Sequence, residues 1–215
     1  MQFLMEVWEM AQFRRDDILL ATQQHLYLVF IPMLLAVLVA VPLGVITTRL
    51  PRLEGIFMGI AGVMQTIPSL ALLALMIPLL GIGTPPAVAA MFLYALLPIL
   101  RNTVTGIRGV DSSIKEAAAG MGMTDWQRLI QVELPIAFPV IMAGIRTALV
   151  MTIGVATLAG LIGGGGLGDL IVRGLSIVND ALIVVGTVPA ALMALIADFL
   201  MGRLERWLTP RGLRV

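Results

Sequence analysis

The residues whose types and spacing could do chemistry in this chain are gathered in one charged block between two strongly apolar segments. The block runs from Glu116 to Pro135 and reads EAAAGMGMTDWQRLIQVELP. Glu116-Ala117-Ala118 opens it, Gly122 follows after three residues, and Leu134-Pro135 ends it. A short, stiff helix with small residues on one face can sit in a groove of another protein and transmit rigid-body motion. By its residues alone, the block is either an ordinary loop whose helix lies on the membrane surface or a segment that recognises a partner in this way.

Helix-capping patterns predict where the first helix of the block begins and ends. Ser113 and Glu116 have the S-x-x-E spacing of a capping box, which satisfies amides at a helix start. The alanines from Ala117 to Ala119 favour helix. Gly122 is suited to the left-handed conformation that ends a helix. The sequence therefore predicts one helix between Ser113 and Gly122.

A second capping-box spacing, from Thr124 to Gln127, predicts another helix directly afterwards. We expect Leu134-Pro135 to close the block, with Pro135 in the first turn of the next apolar segment, where a missing N–H is tolerated. The block is thus predicted to be helix, turn, helix.

Composition places this block in a membrane protein. The chain of 215 residues is 59% hydrophobic and 13% charged, with a mean hydropathy of +1.01. Soluble domains are roughly half apolar and about a quarter charged. The absence of cysteine excludes disulfides, zinc fingers and thiol catalysis. The stretch before Asp17 lacks the apolar run of a cleavable signal peptide, so we expect the first span to be an uncleaved insertion signal.

Apolar segments long enough to cross a bilayer predict an all-α membrane protein with about five transmembrane helices. The predicted spans are residues 26–47, 55–80, 85–101, 136–161 and 181–202. The second contains Pro68 and Pro78, so we expect it to be kinked or partly re-entrant. Residues 1–215 form one transmembrane domain, and its longest polar connection, about 102–135, holds the charged block.

Basic residues set the expected orientation, because cytoplasmic loops are enriched in Lys and Arg. With the N-terminus outside and the C-terminus inside, the basic loops fall on one side and Arg173 is alone in the opposite 162–180 loop. The charged block then lies in the cytoplasm. The basic residues on that side are Arg49, Arg52, Arg101, Arg108, Lys115, Arg128, Arg203, Arg206, Arg211 and Arg214.

The spacing of the charged block resembles the EAA loop of inner-membrane permease subunits of type I, binding-protein-dependent ABC importers. The resemblance implies a MetI-like fold and a coupling helix that docks into a groove on a cytoplasmic ATPase. ATP and Mg²⁺ would be bound by that ATPase, so the resemblance implies no catalytic residue, cofactor or metal on this chain. The residues that it assigns to coupling are Glu116, Ala117, Ala118, Gly122, Leu134 and Pro135.

Other segments are similar to the small osmoprotectant permeases that take up glycine betaine, carnitine or choline. The similarity implies an ATPase dimer, a second permease subunit that is identical or paralogous, and an extracytoplasmic substrate-binding protein. A permease for another small solute, an amino acid or a sulfonate, stays open because such permeases share parts of these segments. The segments are HLYLVFIP at 25–32, MQTIPSLALLAL at 64–75, LYALLPILRNT at 93–103, KEAAAGMGM at 115–123, AGIRTALV at 143–150 and GGGGLGDLIVRGL at 163–175.

Two sets of polar residues lie inside the predicted spans. Arg146 and Asp198 fall on antiparallel neighbours, and charges in lipid usually find partners, so we expect an ion pair. The pair either fixes the structure or belongs to the translocation path. Gln65, Thr66 and Ser69 flank the proline of the second span. They either satisfy the backbone freed by the kink or line the same path.

A glycine-rich stretch follows the fourth predicted span. It formally contains G-x-G-x-x-G, but a dinucleotide site needs a preceding strand, which an all-α chain does not supply. Two interpretations stay open, a flexible outer turn, and an outer gate or docking surface for a binding protein. Residues 170–177 could form a short helix on the outer surface. The glycines concerned are Gly163, Gly164, Gly165, Gly166 and Gly168.

A histidine, two tryptophans and three glycines also have predicted positions. His25, the one histidine, has no metal-ligand companions and is expected at the membrane interface. Trp126 and Trp207 are expected to be interface anchors on the cytoplasmic side. Three glycines of the second span offer a face for close helix packing, within the chain or between subunits. These are Gly55, Gly59 and Gly62.

Two other classes of membrane protein fit this sequence poorly. A self-sufficient secondary transporter needs inverted repeats and coupling-ion sites at mid-membrane, and five spans with almost no acids there do not provide them. A membrane enzyme needs His, Asp, Glu or Lys clustered at one face, which a lone His25 does not supply.

Overall fold

A computed structural model describes residues 1–209. Arg211 and Arg214 of the predicted cytoplasmic tail lie outside the described residues. The helices, in chain order, are α1 Gln2–Phe13, α2 Arg15–Arg49, α3 Pro51–Thr66, α4 Ser69–Leu80, α5 Thr84–Arg108, α6 Ser112–Gly120, α7 Asp125–Arg128, a π-helical segment Leu129–Glu133, α8 Leu134–Ala156, a 3-10 segment Thr157–Ile162, α9 Leu167–Ser176 and α10 Asp180–Leu208.

Four of these helical stretches are long and apolar enough to cross a membrane, namely α2, α5, the continuous stretch Asp125–Ile162, and α10. The pair α3 and α4 passes the same test together, although its two halves are bent by 102°. Counting that pair as one span gives the five spans that hydropathy predicts, and the expected break in the second span is confirmed.

The bend between α3 and α4 has a local cause at Pro68. Pro68 has no N–H, and it holds the preceding Ile67 in an extended conformation that ends α3. The Thr66 hydroxyl donates to the Val63 carbonyl at 2.7 Å, and the Tyr94 hydroxyl donates to the Ile67 carbonyl. Side chains thus satisfy carbonyls that the broken helix leaves without amide partners.

The central helix is α5, which packs against α2, α3, α4 and α8. Half of its most apolar window is buried, against 22% for α10. Small residues bring the neighbours close: a Cβ on Gly144 would lie 2.5 Å from the Asn102 Cβ, and one on Gly44 would lie 2.6 Å from Thr103 Cγ2. Packing in this core therefore depends on glycine as much as on large apolar side chains.

Helix bounds differ from the predicted spans where polar residues continue a helix. α2 begins at Arg15 and not near residue 26, and α5 continues to Arg108, beyond the predicted end at residue 101. α1, which hydropathy does not indicate, packs against α10. Hydropathy detects the part of a helix that suits lipid, whereas the backbone hydrogen bonds continue into the polar zone.

The bundle has two chemically different ends. At the charged end, the C-termini of α2 and α5 meet the segment α6–α7, and Arg49, Arg108 and Glu133 lie there. At the glycine end, Gly83 donates its N–H to the Ile162 carbonyl at 3.0 Å, and Gly166 donates to Gln24 Oε1 at 3.0 Å. The charged block and the glycine-rich stretch therefore lie at opposite ends of the spans.

Candidate coupling site and polar residues of the spans

The first helix of the charged block, α6, is capped by a different residue from the predicted one. Asp111 is the N-cap, and its carboxylate accepts the Ser113 N–H at 2.8 Å. The predicted capping box of Ser113 and Glu116 is wrong, because Ser113 already lies inside the helix. The hydrogen bonds from Ser113 hold the pKa of the Asp111 carboxyl below its usual range. Glu116 is left on the exposed surface.

The C-terminus of α6 ends as the sequence predicts. Gly122 has a φ of +80°, in the left-handed region. Its N–H donates to the Ala119 carbonyl at 2.9 Å, and the Met123 N–H donates to the Ala118 carbonyl at 3.2 Å. These two hydrogen bonds form a Schellman motif, which fixes the direction in which the chain leaves α6.

The second capping box is confirmed, but the end of the block is not. Thr124 accepts the Gln127 N–H at 3.3 Å, and Gln127 Oε1 accepts the Thr124 N–H at 2.9 Å. Leu134-Pro135 does not end the helix, which continues from α7 through the π-helical segment into α8, although Pro135 lies in the first turn of α8 as predicted. The Leu134 N–H donates to the Leu129 carbonyl, so the wider π turn carries the helix up to Pro135.

One face of α6 is exposed and partly apolar. Ile114, Ala117 and Met121 follow one another at helical spacing, and Ile114 and Met121 are 42% and 73% exposed. We call these three residues the docking face. On the inner side, Ala118 is buried at 2% exposure. α6 therefore packs on the bundle through one side and presents the other to solvent.

A buried ion cluster joins the block to α2, and the sequence analysis missed it. Glu133, at 1% exposure, accepts from Arg49 Nη2 at 2.7 Å and from Arg128 Nε at 3.3 Å. We call Arg49, Arg128 and Glu133 the Glu133 clamp. Arg128 also donates to Asp125 at 2.7 Å. One sequence signal was available, because Glu133 lies between the apolar Val132 and Leu134, just before Pro135. An acid in such surroundings is expected to be buried, and a buried carboxylate needs a cationic partner.

Further contacts join α6 to α5 and α5 to α3. Lys115 Nζ donates to the carbonyls of Ile107 and Arg108, at 3.2 and 3.4 Å, at the C-terminus of α5. Arg108 pairs with Glu54 of α3. A cleft of about 260 Å³, lined in part by Glu116, separates α6 from the ends of α2 and α5. The block is thus attached directly to α2 and α5 and continuous with α8, and α5 is in turn paired with α3.

Arg146 and Asp198 form the expected ion pair between α8 and α10. Arg146 Nη2 donates to Asp198 Oδ2 at 2.5 Å, and Arg146 Nε donates to Oδ1. A Cβ on Gly202 would lie 3.2 Å from Arg146 Nη1, so the glycine makes room for the guanidinium. The two side chains remain 38% and 40% exposed. The pair lies on the surface of the bundle.

The polar residues of the second span lie beside its break. Thr66 satisfies the backbone, as one of the two interpretations predicts. Gln65 and Ser69 are half-buried there. The three glycines of α3 have open space around them, since a Cβ on any of them would meet nothing within 4 Å. In the described part of the chain, that face of α3 packs against no other helix. The glycines are Gly55, Gly59 and Gly62.

The glycine-rich stretch is a packed loop at the end of the bundle opposite the charged block, and both interpretations of it stay open. Gly163, Gly165 and Gly166 have φ values of +72°, +77° and +78°. Gly164 donates its N–H to the Ala159 carbonyl at 2.8 Å. A Cβ on Gly168 would lie 1.9 Å from the Thr157 carbonyl oxygen. The expected short helix beyond the loop is confirmed as α9.

His25 lies beside the glycine loop at the end of the bundle, as its position at the edge of the first span predicts, but its side chain is buried among the helices. It has 0% exposure, and its Nε2 lies 3.2 Å from the Ile153 carbonyl oxygen of α8. Trp126 and Trp207 are exposed, as expected for anchors. Within residues 1–209, no group of three or more His, Asp or Glu side chains is placed to hold a metal ion.

Comparisons with known proteins agree with this architecture. Residues 40–212 match the family described as "Binding-protein-dependent transport system inner membrane component". The chain is similar to a solved structure of the MetNI methionine ABC transporter in an inward-facing conformation, with a TM-score of 0.82 and 23% identity over 90% of this chain and 96% of that one. This similarity confirms the predicted MetI-like fold.

Several curated proteins are similar over nearly their whole length. The glycine betaine/carnitine/choline transport system permease protein OpuCB of Bacillus subtilis is 49% identical, over 92% of this chain and 91% of its own. The choline transport system permease protein OpuBB of the same organism is 48% identical, over 96% and 95%. The osmoprotectant import permease protein OsmW of Salmonella typhimurium is 48% identical, over 90% and 92%.

Proposed function

Since this chain belongs to the family of binding-protein-dependent transport system inner membrane components, we propose that it is the permease subunit of an ABC importer for small quaternary ammonium osmoprotectants. Glycine betaine, carnitine and choline are the candidate substrates, because the names of the similar permeases state them. A separate ATPase drives transport by docking on α6, and this chain contributes no catalytic group. A permease for another small solute is the second candidate, which the fold alone also permits.

The observation that carries this proposal is the two-sided attachment of α6. Its docking face is exposed, whereas Lys115 on its inner side joins it to α5. The Glu133 clamp joins the next part of the block, α7 and the π-helical segment, to α2. The helical stretch from α7 to α8 is continuous through the π-helical segment. A push on the docking face therefore reaches several spans as one rigid unit, which is what alternating access by rocking requires.

The partners follow from the family, whose members work with a binding protein. We infer an ATPase dimer at the charged end, which binds ATP and Mg²⁺, and an extracytoplasmic binding protein at the glycine end. We infer also a second permease subunit, for which the open glycine face of α3 is suited. The basic residues at the charged end favour the cytoplasm for that end, with the N-terminus outside.

Substrate selection is expected to rest on the binding protein. Capture of a quaternary ammonium group by cation–π contacts takes several converging aromatic rings. Aromatic residues make up only 6% of this chain. The permease therefore offers a weak and transient path, and the packed glycine loop with α9 is the proposed outer surface for gating and delivery. Its glycines hold the loop in a shape that side chains would not permit.

Substitution of Gly122 by Asp, or of Glu116 by Lys, is expected to uncouple transport. Gly122 has a positive φ, which costs a non-glycine residue about 1 kcal/mol, and a shifted Schellman turn would displace the docking face. Glu116→Lys reverses an exposed charge beside that face. We expect at least tenfold less uptake per ATP hydrolysed in proteoliposomes, with the same amount of protein inserted.

Gly120→Ala is the matched control, because Gly120 is helical, exposed and without neighbours within 4 Å of a Cβ. Gly122→Asn should retain more uptake than Gly122→Asp, since asparagine and aspartate both tolerate the left-handed region but only aspartate adds a charge beside the docking face. Normal uptake by both Gly122→Asp and Glu116→Lys would refute docking through α6. Uptake of a solute other than quaternary ammonium compounds by the unmodified complex would refute the substrate class alone.

A further inference from the structure

The ion pair of Arg146 and Asp198 is exposed at a depth where lipid would penalise it. The predicted span 181–202 ends four residues after Asp198, which at 1.5 Å per residue is about 6 Å along α10, and Arg203, Glu205 and Arg206 follow directly. The pair therefore lies inside the span, towards its charged end. Charges inside a span are costly in lipid, yet the side chains of Arg146 and Asp198 are 38% and 40% exposed. We infer that the surface that carries the pair faces water or another polar molecule.

The surroundings of the pair form an open, partly polar recess. One cleft of about 380 Å³ is lined by Arg146, Asp198, Phe199 and charged residues of the last turns of α10. A second cleft of about 430 Å³ contains the same pair and extends along the exposed side of α8, past Thr147 and Met151. The two clefts meet at the ion pair. Among the described residues that line the second cleft, Arg146 and Asp198 alone are charged.

We propose that Arg146 and Asp198 form a transient binding site for the substrate in the translocation path. The proposal rests on the proposed function, because it assumes a quaternary ammonium substrate that also carries a carboxylate, such as glycine betaine. The guanidinium of Arg146 pairs with the substrate carboxylate, and the carboxylate of Asp198 faces the trimethylammonium group. Phe199 is 54% exposed beside Asp198. The Arg203 guanidinium lies over one face of its ring, 4.9 Å from the centroid, so the ring offers its remaining exposed side to the methyl groups.

Charge complementarity is the reason for assigning the site to a zwitterion. The recess presents one cation and one anion side by side. A zwitterion can therefore place its negative group against the cation and its positive group against the anion. With the path empty, the two side chains satisfy each other, so no charge is left unpaired in the membrane. A substrate that arrives exchanges one ion pair for two. The free energies of the two arrangements are then similar, which suits a translocation path that must both bind the substrate and release it.

The test is a set of charge-reversal variants in the reconstituted complex with its ATPase and binding protein. Arg146→Asp and Asp198→Arg are expected to lower both the thermal stability and glycine betaine uptake. The double variant, which swaps the two charges, is expected to recover the stability because the ion pair re-forms. We expect it not to recover uptake, which stays at least tenfold below the unmodified complex, because the order of the charges along the path is reversed.

The exposed pair Arg14–Asp17, 2.9 Å apart at the start of α2, is the matched control, and its swap should leave uptake unchanged. Recovery of both stability and uptake by the Arg146–Asp198 swap would show a purely structural pair and overturn the assignment while the proposed function stands. Absence of glycine betaine uptake by the unmodified complex would overturn the proposed substrate and this assignment together.

Discussion

Replacement of Gly168 by alanine is expected to prevent the chain from packing its glycine end. A Cβ at this position would lie 1.9 Å from the Thr157 carbonyl oxygen and 2.6 Å from its carbonyl carbon. Both are backbone atoms, so no side chain can rotate away. Overpacking in a close-packed core typically costs about 1–3 kcal/mol, and a backbone clash of this size belongs at or above the upper end.

The measurement is the thermal unfolding midpoint and the monodisperse yield of detergent-solubilised protein. We expect Gly168→Ala to lower the midpoint by several degrees or to abolish the monodisperse fraction. Gly154→Ala is the control, because Gly154 is helical and a Cβ there meets nothing within 4 Å. If both variants unfold at the same temperature, the close approach of Gly168 to Thr157 is not a feature of the folded protein.

Substitution of Glu133 by glutamine is expected to break the connection between α2 and the charged block, Glu116 to Pro135, which is the proposed coupling segment. The carboxylate at 1% exposure is the shared partner of Arg49 and Arg128. Removal of one partner of a buried ion pair costs about 3–5 kcal/mol, because the remaining charge stays buried without compensation. Arg49 is 36% exposed and can turn to solvent, so we expect the lower part of that range.

The distinguishing measurement is the amount of substrate imported per ATP hydrolysed by the assembled complex. A role in positioning predicts that Glu133→Gln hydrolyses ATP but imports at least tenfold less, because α6 moves without α2. A role in stability alone predicts less assembled complex with an unchanged ratio, and that result would refute the positioning role. Asp125→Asn is the stability control, since its carboxylate is 85% exposed and such pairs contribute about 0–1 kcal/mol.

The capping of α6 shows how far local sequence rules reach. They predicted the end of the helix at Gly122 and the capping box of Thr124 and Gln127, since both depend on residues within one turn. They chose Ser113 over Asp111 at the start, because both residue types cap helices and the spacing to Glu116 favoured the wrong one. When two residues close in sequence could each cap a helix, the backbone conformation of the chain that precedes the helix decides which of them does.

The Glu133 clamp and the burial of His25 could not be predicted in the same way. Arg49 and Glu133 are 84 positions apart, and His25 and Ile153 are 128 apart. No local pattern links such residues, because the register in which two spans pack sets which of their side chains meet. The continuation of the helix through Pro135 belongs here too, since a π turn leaves no signature in composition.

The sequence by itself determined that this is an all-α membrane protein, that its second span breaks at Pro68, and that the first helix of the charged block ends at Gly122. Hydropathy, proline and helix capping act over one span or one turn, so their effects can be predicted from neighbouring residues in the sequence. The tertiary structure alone decided that the glycine loop is packed, that Glu133 joins α2 to the coupling segment, and that Arg146 and Asp198 meet on an exposed face. Those features depend on which helices lie side by side, and close packing between distant segments sets that arrangement.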